Sequence, residues 1–326
     1  MDDARRRLIG AVALLPVAST VRAAHHDDYP DKPVRLVVPF PPGGGADNLA
    51  RAIMPRVSHA LGKPIVIDNR PGAGGNVGAE LVAGSPPDGY TLLYGTNGTH
   101  SINQTLYQNL RFDPIKDFAP VSRMTEIAAM LVVNPQLPVL TTTQLIRYAK
   151  ANPGKVNFAS AGNGTTSHLS GELFKTMTGL DIVHIPYRGG GAAVTDLISG
   201  QVQMMIDVMP NVYPLAKEGR IRGIAVSTAV RFPGAPELPT IAESGVPGFE
   251  SSAWDGVLAP AGTPEAIVGK LNAAIRAALA DPELIDALKS RGARPVAGTS
   301  DDFARHIVES TKKWAQVVKA SGARID

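Results

Sequence analysis

The sequence contains four glycine-rich segments, each of which follows a short apolar run and precedes a stretch with helical periodicity. The segments are VVPFPPGGGADNLAR (37–51), NRPGAGGNVGAELV (69–82), SAGNGTTSHLSGELF (160–174) and PYRGGGAAVTDLI (186–198). Apolar runs without strict alternation are typical of strands that helices cover on both faces. The pattern therefore predicts an α/β fold with mostly parallel sheets.

The alternation of strand and helix continues along the chain. Short β-branched runs predict strands at VRLVV (34–38), PIVI (64–67), YTLLY (90–94), AMLVV (129–133), VNFA (156–159), DIVHI (181–185), VQMMI (202–206), IRGIAV (221–226) and DGVLA (255–259). Two amphipathic helices are predicted near the C-terminus, at TPEAIVGKLNAAIRAALA (263–280), with Thr263 as its N-cap, and at DDFARHIVESTKKWAQVVK (301–319). The apolar stripe along each helix indicates that the helix packs against the rest of the protein.

Residues 1–24 have the pattern of an export signal. Three arginines, Arg5 to Arg7, precede an apolar stretch from Leu8 to Val17, and Val21–Ala23 offers small residues near a cleavage site. The apolar stretch is too short to span a bilayer. We therefore expect a periplasmic mature chain that is not inserted in the membrane; a flexible amphipathic N-terminus is the alternative.

Charge and cysteine content exclude several classes of partner and chemistry. The full chain carries a net charge of +3, and removing residues 1–23 takes away four arginines and two aspartates, which leaves +1. A nearly neutral chain gives no electrostatic case for binding nucleic acid or anionic lipid. There is no cysteine, so disulfides, thiolate chemistry and cysteine-bound zinc are excluded. At 326 residues, the chain is long enough for about two domains.

The glycine-rich segments predict an anion site. Glycine has no β-carbon, so a ligand can approach the backbone, and the first amides of the following helix have no acceptor within the helix. Phosphate fits poorly, because none of the four segments contains the lysine of a nucleotide-binding P-loop. A carboxylate needs only neutral amides and hydroxyls, which these segments supply. The alternative is that each segment is simply a tight turn between strand and helix.

Catalytic and metal-binding motifs are sparse. The chain has no Gly-x-Ser-x-Gly or His-Glu-x-x-His motif, so we expect neither an enzyme nor a metal or organic cofactor. His168 follows a hydroxyl-rich loop and is expected to form local hydrogen bonds at a helix start. Asp207 and Asp255 lie at predicted strand ends. Each of these carboxylates would either receive a ligand ammonium group or cap a turn.

Several motifs occur together in an order that resembles one protein family. They include YPDKPVRLVVPFPPGGGADNLAR, LGKPIVIDNRPGAGGNVGAE, PPDGYTLLYG, FDPIKDFAPV, PGKVNFASAGNGTTSHLSGELF, HIPYRGGGAAVTDLISGQVQMMID, LPTIAESGVPGFESSAWDGVLAPAGTP and KKWAQVVKASG. The chain from Tyr29 to near its C-terminus resembles the Bug proteins, periplasmic solute receptors of tripartite tricarboxylate transporters. The number and order of the motifs make this resemblance highly specific.

The resemblance implies a two-lobed type II periplasmic-binding-protein fold with a ligand cleft between the lobes. Residues 25–122 and 223–326 are expected to form lobe 1, and residues 123–222 to form lobe 2. The lobes would close around a small carboxylated solute, which loop amides and ordered waters hold. The expected partners are this solute and the membrane subunits of a tripartite tricarboxylate transporter, with the receptor itself a monomer.

The resemblance also implies which residues bind the ligand. Carried onto this sequence, the expected ligand-binding residues are Phe40, Pro41, Gly43, Gly44, Asp47, Thr96, Asn97, Ser160, Gly162, Thr165, Thr166, Tyr187, Gly189, Gly190, Asp207, Trp254 and Asp255. Tyr187 and Trp254 are equally compatible with ordinary core packing. Similar proteins often carry a proline where this chain has Ala193, so the ligand of a relative does not transfer directly.

The presence of both Asp207 and Asp255 favours a ligand with an ammonium group beside its carboxylate. An acidic amino acid such as glutamate or aspartate is therefore the first expectation, followed by plain dicarboxylates. Two other function classes stay open on the sequence alone. The chain could present a carboxylate to a signalling partner, or it could be an exported hydrolase, although no nucleophile and base are evident.

Overall fold

The computed structural model describes residues 29–325. The expected signal sequence, residues 1–24, lies outside these residues. The described residues form a ten-stranded sheet. Eight strands pair in the order β2-β1-β3-β9-β4-β7-β5-β6, and β8 and β10 each pair with β4 beside this path. Their bounds are Val34–Val38 (β1), Ile65–Asn69 (β2), Thr91–Thr96 (β3), Phe118–Val133 (β4), Asn157–Ser160 (β5), Val183–Pro186 (β6), Met204–Val208 (β7), Arg222–Val226 (β8), Ser252–Pro260 (β9) and Ala293–Pro295 (β10).

Helices connect and cover these strands, which confirms the α/β class. Their bounds are Gly45–Leu61 (α1), Asn76–Ala83 (α2), Asn103–Leu106 (α3), Thr142–Ala151 (α4), Thr166–Thr178 (α5), Gly190–Ser199 (α6), Met209–Lys217 (α7), Glu265–Leu279 (α8), Pro282–Lys289 (α9) and Ser300–Ser321 (α10). A 3-10 turn, Ala73–Gly75, precedes α2, and a π-helical turn, Gly98–Ile102, precedes α3. Thr263 does not cap α8, because its hydroxyl donates to the Pro260 carbonyl at 2.7 Å.

Strand pairing is parallel where helices connect strands and antiparallel along the two segments that link the halves of the molecule. β1 pairs in parallel with β2 and β3, and β5 pairs in parallel with β6 and β7. β4 pairs antiparallel with β7, β8, β9 and β10, and β9 also pairs antiparallel with β3. Every strand predicted from sequence is present, but the length of β4 and its antiparallel pairing were not predicted.

Strand β4 belongs to both halves of the molecule. Residues 118–128 pair with β9, whereas residues 129–133 pair with β7 and β8. The hydrophobic cores change within one residue of this point, because Ile127 packs in the core of the first half, whereas Ala128 and Ala129 pack in cores of the second. The first half therefore extends to residue 128, beyond the boundary at 122 that was expected from sequence.

The chain returns to the first half after residue 249. Ile224, Ile241, Val246 and Phe249 all pack in a core of the second half, although they follow the expected boundary at 222. The sheet of the first half resumes at β9, where Ser252 pairs with Ala128. The two cores thus place the return crossing near residues 250–251. The strand pattern of β8 gives no sign of which half it joins, since that depends on its pairing with β4.

Serine residues form hydrogen bonds between the two segments where the chain passes from one half to the other, near residues 128–129 and 250–251. The Ser227 hydroxyl hydrogen-bonds to the Ser251 carbonyl, and the Ala129 amide donates to Ser227 Oγ at 3.2 Å. The hydroxyls of Ser251 and Ser170 lie 2.6 Å apart. These contacts join the crossing points to α5, so they fix the backbone about which the two halves would turn.

His100 lies in the buried π-helical turn, against the edge of the Phe118 ring at a centroid distance of 4.7 Å. Burial lowers its pKa from 6.5 to about 3. The stability that this neutral histidine contributes is therefore present above pH 6.5 and is lost as the pH falls through that interval. At about pH 4, the unfavourable contribution reaches about 3 kcal/mol.

Replacing His100 with glutamine is expected to remove this part of the acid sensitivity. Between about pH 7 and pH 4, the free energy of unfolding of His100→Gln should fall by about 3 kcal/mol less than that of the wild type. Denaturant unfolding at the two pH values measures the difference, and His59→Gln on the exposed end of α1 is the matched control. Equal falls in wild type and His100→Gln would contradict the prediction.

Candidate functional site

A cleft of about 240 Å³ lies between the two halves of the molecule. Its walls come mainly from the loops that follow β1, β3, β5 and β6, together with the end of β7 and part of β9. Of the residues expected from sequence, those that line it are Phe40, Pro41, Gly44, Thr96, Asn97, Thr165, Thr166, Gly189, Gly190, Asp207, Trp254 and Asp255. Both halves therefore contribute to one site at the ends of their strands, where α/β sheets commonly bind ligands.

Three helices begin at this cleft. Gly45 starts α1, Thr166 starts α5 and Gly190 starts α6, and all three residues line the cavity. The N-caps of α1 and α6 are Gly44 and Gly189, so neither helix has a side-chain cap. The first amides of a helix have no acceptor within the helix, and the helix dipole adds positive potential there. The arrangement favours an anion.

Asp47 shapes the loop after β1 from behind. It is 2% exposed and does not line the cleft. Its carboxylate accepts hydrogen bonds from the Gly43 amide at 2.9 Å, Arg51 Nε at 2.8 Å and Asn69 Nδ2 at 3.0 Å. Burial acts to raise the pKa of Asp47, but these hydrogen bonds outweigh it and leave that pKa lowered. Gly43 likewise lies outside the cleft wall, so both residues hold Gly44 in place.

The loop after β5 presents hydroxyl groups. Thr165 caps α5 by accepting from the His168 amide, and its hydroxyl donates to the Gly162 carbonyl at 2.6 Å. Ser160 and Gly162 do not line the cleft, and the Gly162 amide donates to Ser160 Oγ at 3.1 Å. These bonds form a rigid loop that presents Thr165 and Thr166 to the cavity.

Asn97 provides a buried hydrogen-bond donor that has no partner among the residues that the structure describes. The residue is 1% exposed and lines the cleft. Its Oδ1 accepts from the Thr166 hydroxyl at 3.0 Å, whereas its Nδ2 makes no hydrogen bond within residues 29–325. A buried donor without a partner is unfavourable by about 1 to 3 kcal/mol. A ligand oxygen would recover that free energy only by reaching an atom that has almost no solvent-accessible surface in this structure.

The two cleft carboxyls differ in their partners. Burial raises the pKa of both Asp207 and Asp255 to about 6. Asp255 is hydrogen-bonded at both oxygens, by the Tyr94 hydroxyl and by the amide and hydroxyl of Thr125 at 3.0 and 2.6 Å. Asp207 has fewer partners: its Oδ2 accepts from Asn211 Nδ2 at 2.6 Å, and its carboxylate also accepts from the Val208 amide. Asp207 is therefore the better placed of the two to meet a ligand.

The two aromatic residues expected in the site are held by the protein itself. The Trp254 ring packs edge-on against Phe303, with centroids 5.4 Å apart, and its Nε1 donates to Ser310 at 2.8 Å. The Tyr187 hydroxyl donates to Asp196 at 2.7 Å, and Tyr187 lines a neighbouring cavity instead of the cleft. Trp254 thus supports the wall from the core of the first half.

Other cleft residues were not among those expected. They are Pro42, Gly45, Ala46, Tyr94, Gly98, Ile127, Ala161, Ser167, Arg188, Gly191, Ala192, Val208 and Ala253. Most are immediate neighbours of expected residues, and their position in the same loops could have indicated them. Ile127 lies in the middle of the long strand β4, and no local pattern marks it as a cleft residue.

His168, Glu172 and His184 each place one potential metal ligand within 4.8 Å of the others. The two imidazole rings are stacked, with centroids 4.1 Å apart and an angle of 18° between their planes. A ring nitrogen directs its lone pair in the plane of the ring, so stacked rings do not point at a shared ion. His168 Nδ1 accepts from the Gly164 amide at 3.3 Å, and His184 Nε2 lies 2.6 Å from Ser160 Oγ. The two histidines therefore stabilise the loop after β5 through these contacts.

Known proteins resemble this chain in sequence and in fold. A family model described as the tripartite tricarboxylate transporter family receptor matches residues 49–323. The chain is 39% identical over 315 residues to a Pseudomonas protein from a tcbD-tcbE intergenic region, covering 96% of this chain and 94% of that protein. It is 38% identical over 315 residues to Protein BugT of Bordetella pertussis, covering 96% of each.

Solved structures agree with these sequence matches. An R. palustris protein with adipate superimposes with a TM-score of 0.89 at 43% identity, covering 91% of this chain and all of that one. The periplasmic binding protein BugD gives 0.87 at 34% identity, covering 91% and 99%. MatC from Rhodopseudomonas palustris with bound malate gives 0.85 at 36% identity, covering 89% and 100%. The periplasmic-binding-protein fold expected from sequence is confirmed.

Among the helices of residues 29–325, none combines the length and apolar character needed to cross a membrane. The family match covers most of the chain, and the relatives align over almost their whole length. The chain therefore belongs to the receptor family of the tripartite tricarboxylate transporters.

Proposed function

We propose that this chain is a periplasmic receptor that binds a small carboxylated solute in the cleft and delivers it to the membrane subunits of a tripartite tricarboxylate transporter. Binding occurs without chemical change of the solute. The receptor acts as a monomer whose two lobes, residues 29–128 with 252–325 and residues 129–251, close around the ligand. The family to which the chain belongs supports this role.

One observation carries the carboxylate assignment. Asn97 Nδ2 is a buried donor without a partner in the described part of the chain, and it lies in a cleft where three helices begin. A carboxylate satisfies this donor and the helix amides together, and each charge-assisted hydrogen bond contributes about 1.5 to 3 kcal/mol. The adipate and malate bound to two structural neighbours are both carboxylates.

The volume of the cleft and the charges in its wall narrow the class of ligand further. A cleft of about 240 Å³ is smaller than the range of about 300 to 1,000 Å³ that suits drug-sized ligands, so it suits a small solute. The buried carboxyl of Asp207 lies beside Gly190, the first residue of α6. An acidic amino acid, glutamate or aspartate, places its ammonium group at Asp207 and its α-carboxylate at Asn97. Plain dicarboxylates are the second choice.

The pH dependence of binding distinguishes the two ligand classes. Asp207 faces Asn211 and the start of α6, and Asp255 faces Tyr94 and Thr125, with the Arg123 charge nearby. With a pKa of about 6, Asp207 is mostly charged at about pH 7.5 and mostly neutral at about pH 5.5. Glutamate should bind about fourfold more weakly at the lower pH, because its ammonium group loses the opposing charge.

Glutarate should show the opposite trend, because a neutral Asp207 can donate a hydrogen bond to a carboxylate and a charged one repels it. Isothermal titration calorimetry of both ligands at the two pH values measures these trends. In Asp207→Asn at about pH 7.5, glutamate should lose at least about tenfold in affinity, while glutarate should gain affinity because the opposing charge is gone. Equal effects on both ligands would assign Asp207 a structural role and remove the ammonium contact.

A further inference from the structure

A second cavity, of about 540 Å³, adjoins the ligand cleft and is also formed by both lobes. We call it the outer chamber. It shares Phe40, Pro41, Ala161, Arg188 and Gly189 with the cleft, so the two spaces meet at these residues. Its remaining wall comes from Pro39, Pro71–Gly75, Tyr107, Gly162, Asn163, Pro186 and Tyr187. A ligand that outgrows the cleft would extend into this chamber.

The outer chamber and the cleft differ in charge. The cleft contains the two buried carboxyls Asp207 and Asp255, whereas no acidic residue between positions 29 and 325 lines the outer chamber. Of the residues that the structure describes, Arg188 is the one charged residue in the wall of the outer chamber. Within residues 29–325, its guanidinium has neither an ion pair nor a hydrogen bond, and the residue is exposed. The cation is therefore available to a ligand without displacing an existing partner.

Four consecutive residues in the wall of the outer chamber have positive φ angles. Gly72, Ala73, Gly74 and Gly75 have φ angles of 144°, 46°, 63° and 97°. Ala73 is the non-glycine residue with positive φ in the part of the chain that the structure describes. Strained backbone of this kind is concentrated at functional sites. Across the chamber, the Tyr107 hydroxyl donates to the Asn163 carbonyl at 3.3 Å, which ties the two lobes together beside it.

We propose that the outer chamber is a distal anion subsite, in which Arg188 binds a second carboxylate of the transported solute. This inference rests on the proposed function, because the first carboxylate occupies the clamp around Asn97. The inference predicts that the receptor binds solutes with a carboxylate at each end. It also predicts that the receptor binds solutes whose carbon chain is too long for the cleft alone. The far carboxylate then lies between the lobes, where closure brings Arg188 onto it.

Arg188→Met tests the subsite. The probes are dicarboxylates of four to eight carbons, with or without a 2-amino group, and the monomethyl ester of each at its distal carboxylate, which removes one charge at nearly constant length. Loss of one charge-assisted contact corresponds to a loss of about 10- to 100-fold in affinity for the diacids. The esters should lose less than about threefold, and Arg188→Lys should retain most of the affinity. Arg220→Met, at an exposed turn before β8, controls for net charge.

Ala73→Phe provides an independent test of the chamber itself. Ala73 is exposed and lines only the outer chamber, so a phenyl ring there fills the space without touching the cleft. The longest diacids should lose at least about tenfold in affinity, whereas the shortest should keep theirs. Equal losses at every length would overturn the subsite.

The outcomes separate this inference from the function on which it rests. If the wild type binds diacids or acidic amino acids and Arg188→Met weakens diacid and ester equally, or weakens neither, the distal subsite is wrong and the receptor function stands. If the wild type binds no carboxylate of either kind, the receptor proposal is wrong, and the subsite is wrong with it. Selective loss of the diacids in Arg188→Met supports both.

Discussion

Gly44→Val is expected to abolish carboxylate binding, with a loss of more than about 100-fold in affinity, while the fold remains intact. Gly44 lines the cleft at the start of α1, and an added side chain occupies the space through which a ligand reaches the helix amides. The backbone accepts the change, because φ is −79° and a β-carbon would meet only the Pro41 carbonyl oxygen, at 3.6 Å. Valine is a poorer N-cap than glycine, by about 1 kcal/mol.

Calorimetric titration measures the loss of binding, and thermal unfolding measures the retained fold. Gly269→Val in α8 is the matched control, because a β-carbon at Gly269 meets nothing within 4 Å and the residue lies away from the cleft. Gly269→Val should bind as the wild type does. Unchanged affinity in Gly44→Val would remove the loop after β1 from the binding site.

Asn97→Asp is expected to have an effect of similar size for an electrostatic reason. The replacement keeps the acceptor that the Thr166 hydroxyl uses, and it exchanges the Nδ2 donor without a partner for a carboxylate oxygen. A carboxylate ligand then meets a like charge in a buried site instead of a hydrogen-bond donor. We expect a loss of more than about 100-fold, compared with about 10- to 100-fold for Asn97→Ala, which only removes the donor.

Comparing these two variants separates the effect of charge repulsion on affinity from the effect of losing a hydrogen bond. Titration at about pH 7.5 measures both, and Asn152→Asp at the end of α4 provides the same chemical change away from the cleft. If Asn97→Asp and Asn97→Ala lose affinity equally, repulsion contributes nothing and the ligand carboxylate does not lie at Asn97.

The glycine-rich segments predicted an anion site because the determinants of such a site are local, whereas the cleft between two lobes was expected from the family resemblance. A glycine between a strand and a helix sets the backbone angles and leaves the helix amides uncapped, and both properties depend on neighbours in the chain. Gly44, Gly189 and Thr166, which the resemblance implied as ligand-binding residues, line the cleft. The same reasoning explains why all the predicted strands are present.

Contacts between residues that are far apart in the chain determine the features that the sequence did not predict. Asp207 and Asp255 both follow or begin an apolar run, and nothing nearby separates their roles. The partners of Asp255 are Tyr94 and Thr125, which lie 161 and 130 positions away in the chain. The lobe boundaries depend in the same way on β4, whose two ends pair with different strands. Likewise, only the packed fold shows that Arg188 borders both cavities.

A thermal-shift screen of ligand-stripped wild type and Asn97→Asp tests the central claim most directly. The probes are acidic amino acids, dicarboxylates, tricarboxylates, aromatic carboxylates and uncharged analogues such as amides. A ligand at about 100 times its dissociation constant adds roughly 2.7 kcal/mol of stability, which gives a resolvable rise in melting temperature. We predict that a confined set of carboxylates stabilises the wild type and that Asn97→Asp responds to none of them. Stabilisation by the uncharged analogues, or equal responses of the two proteins to carboxylates, would contradict a carboxylate site in the cleft.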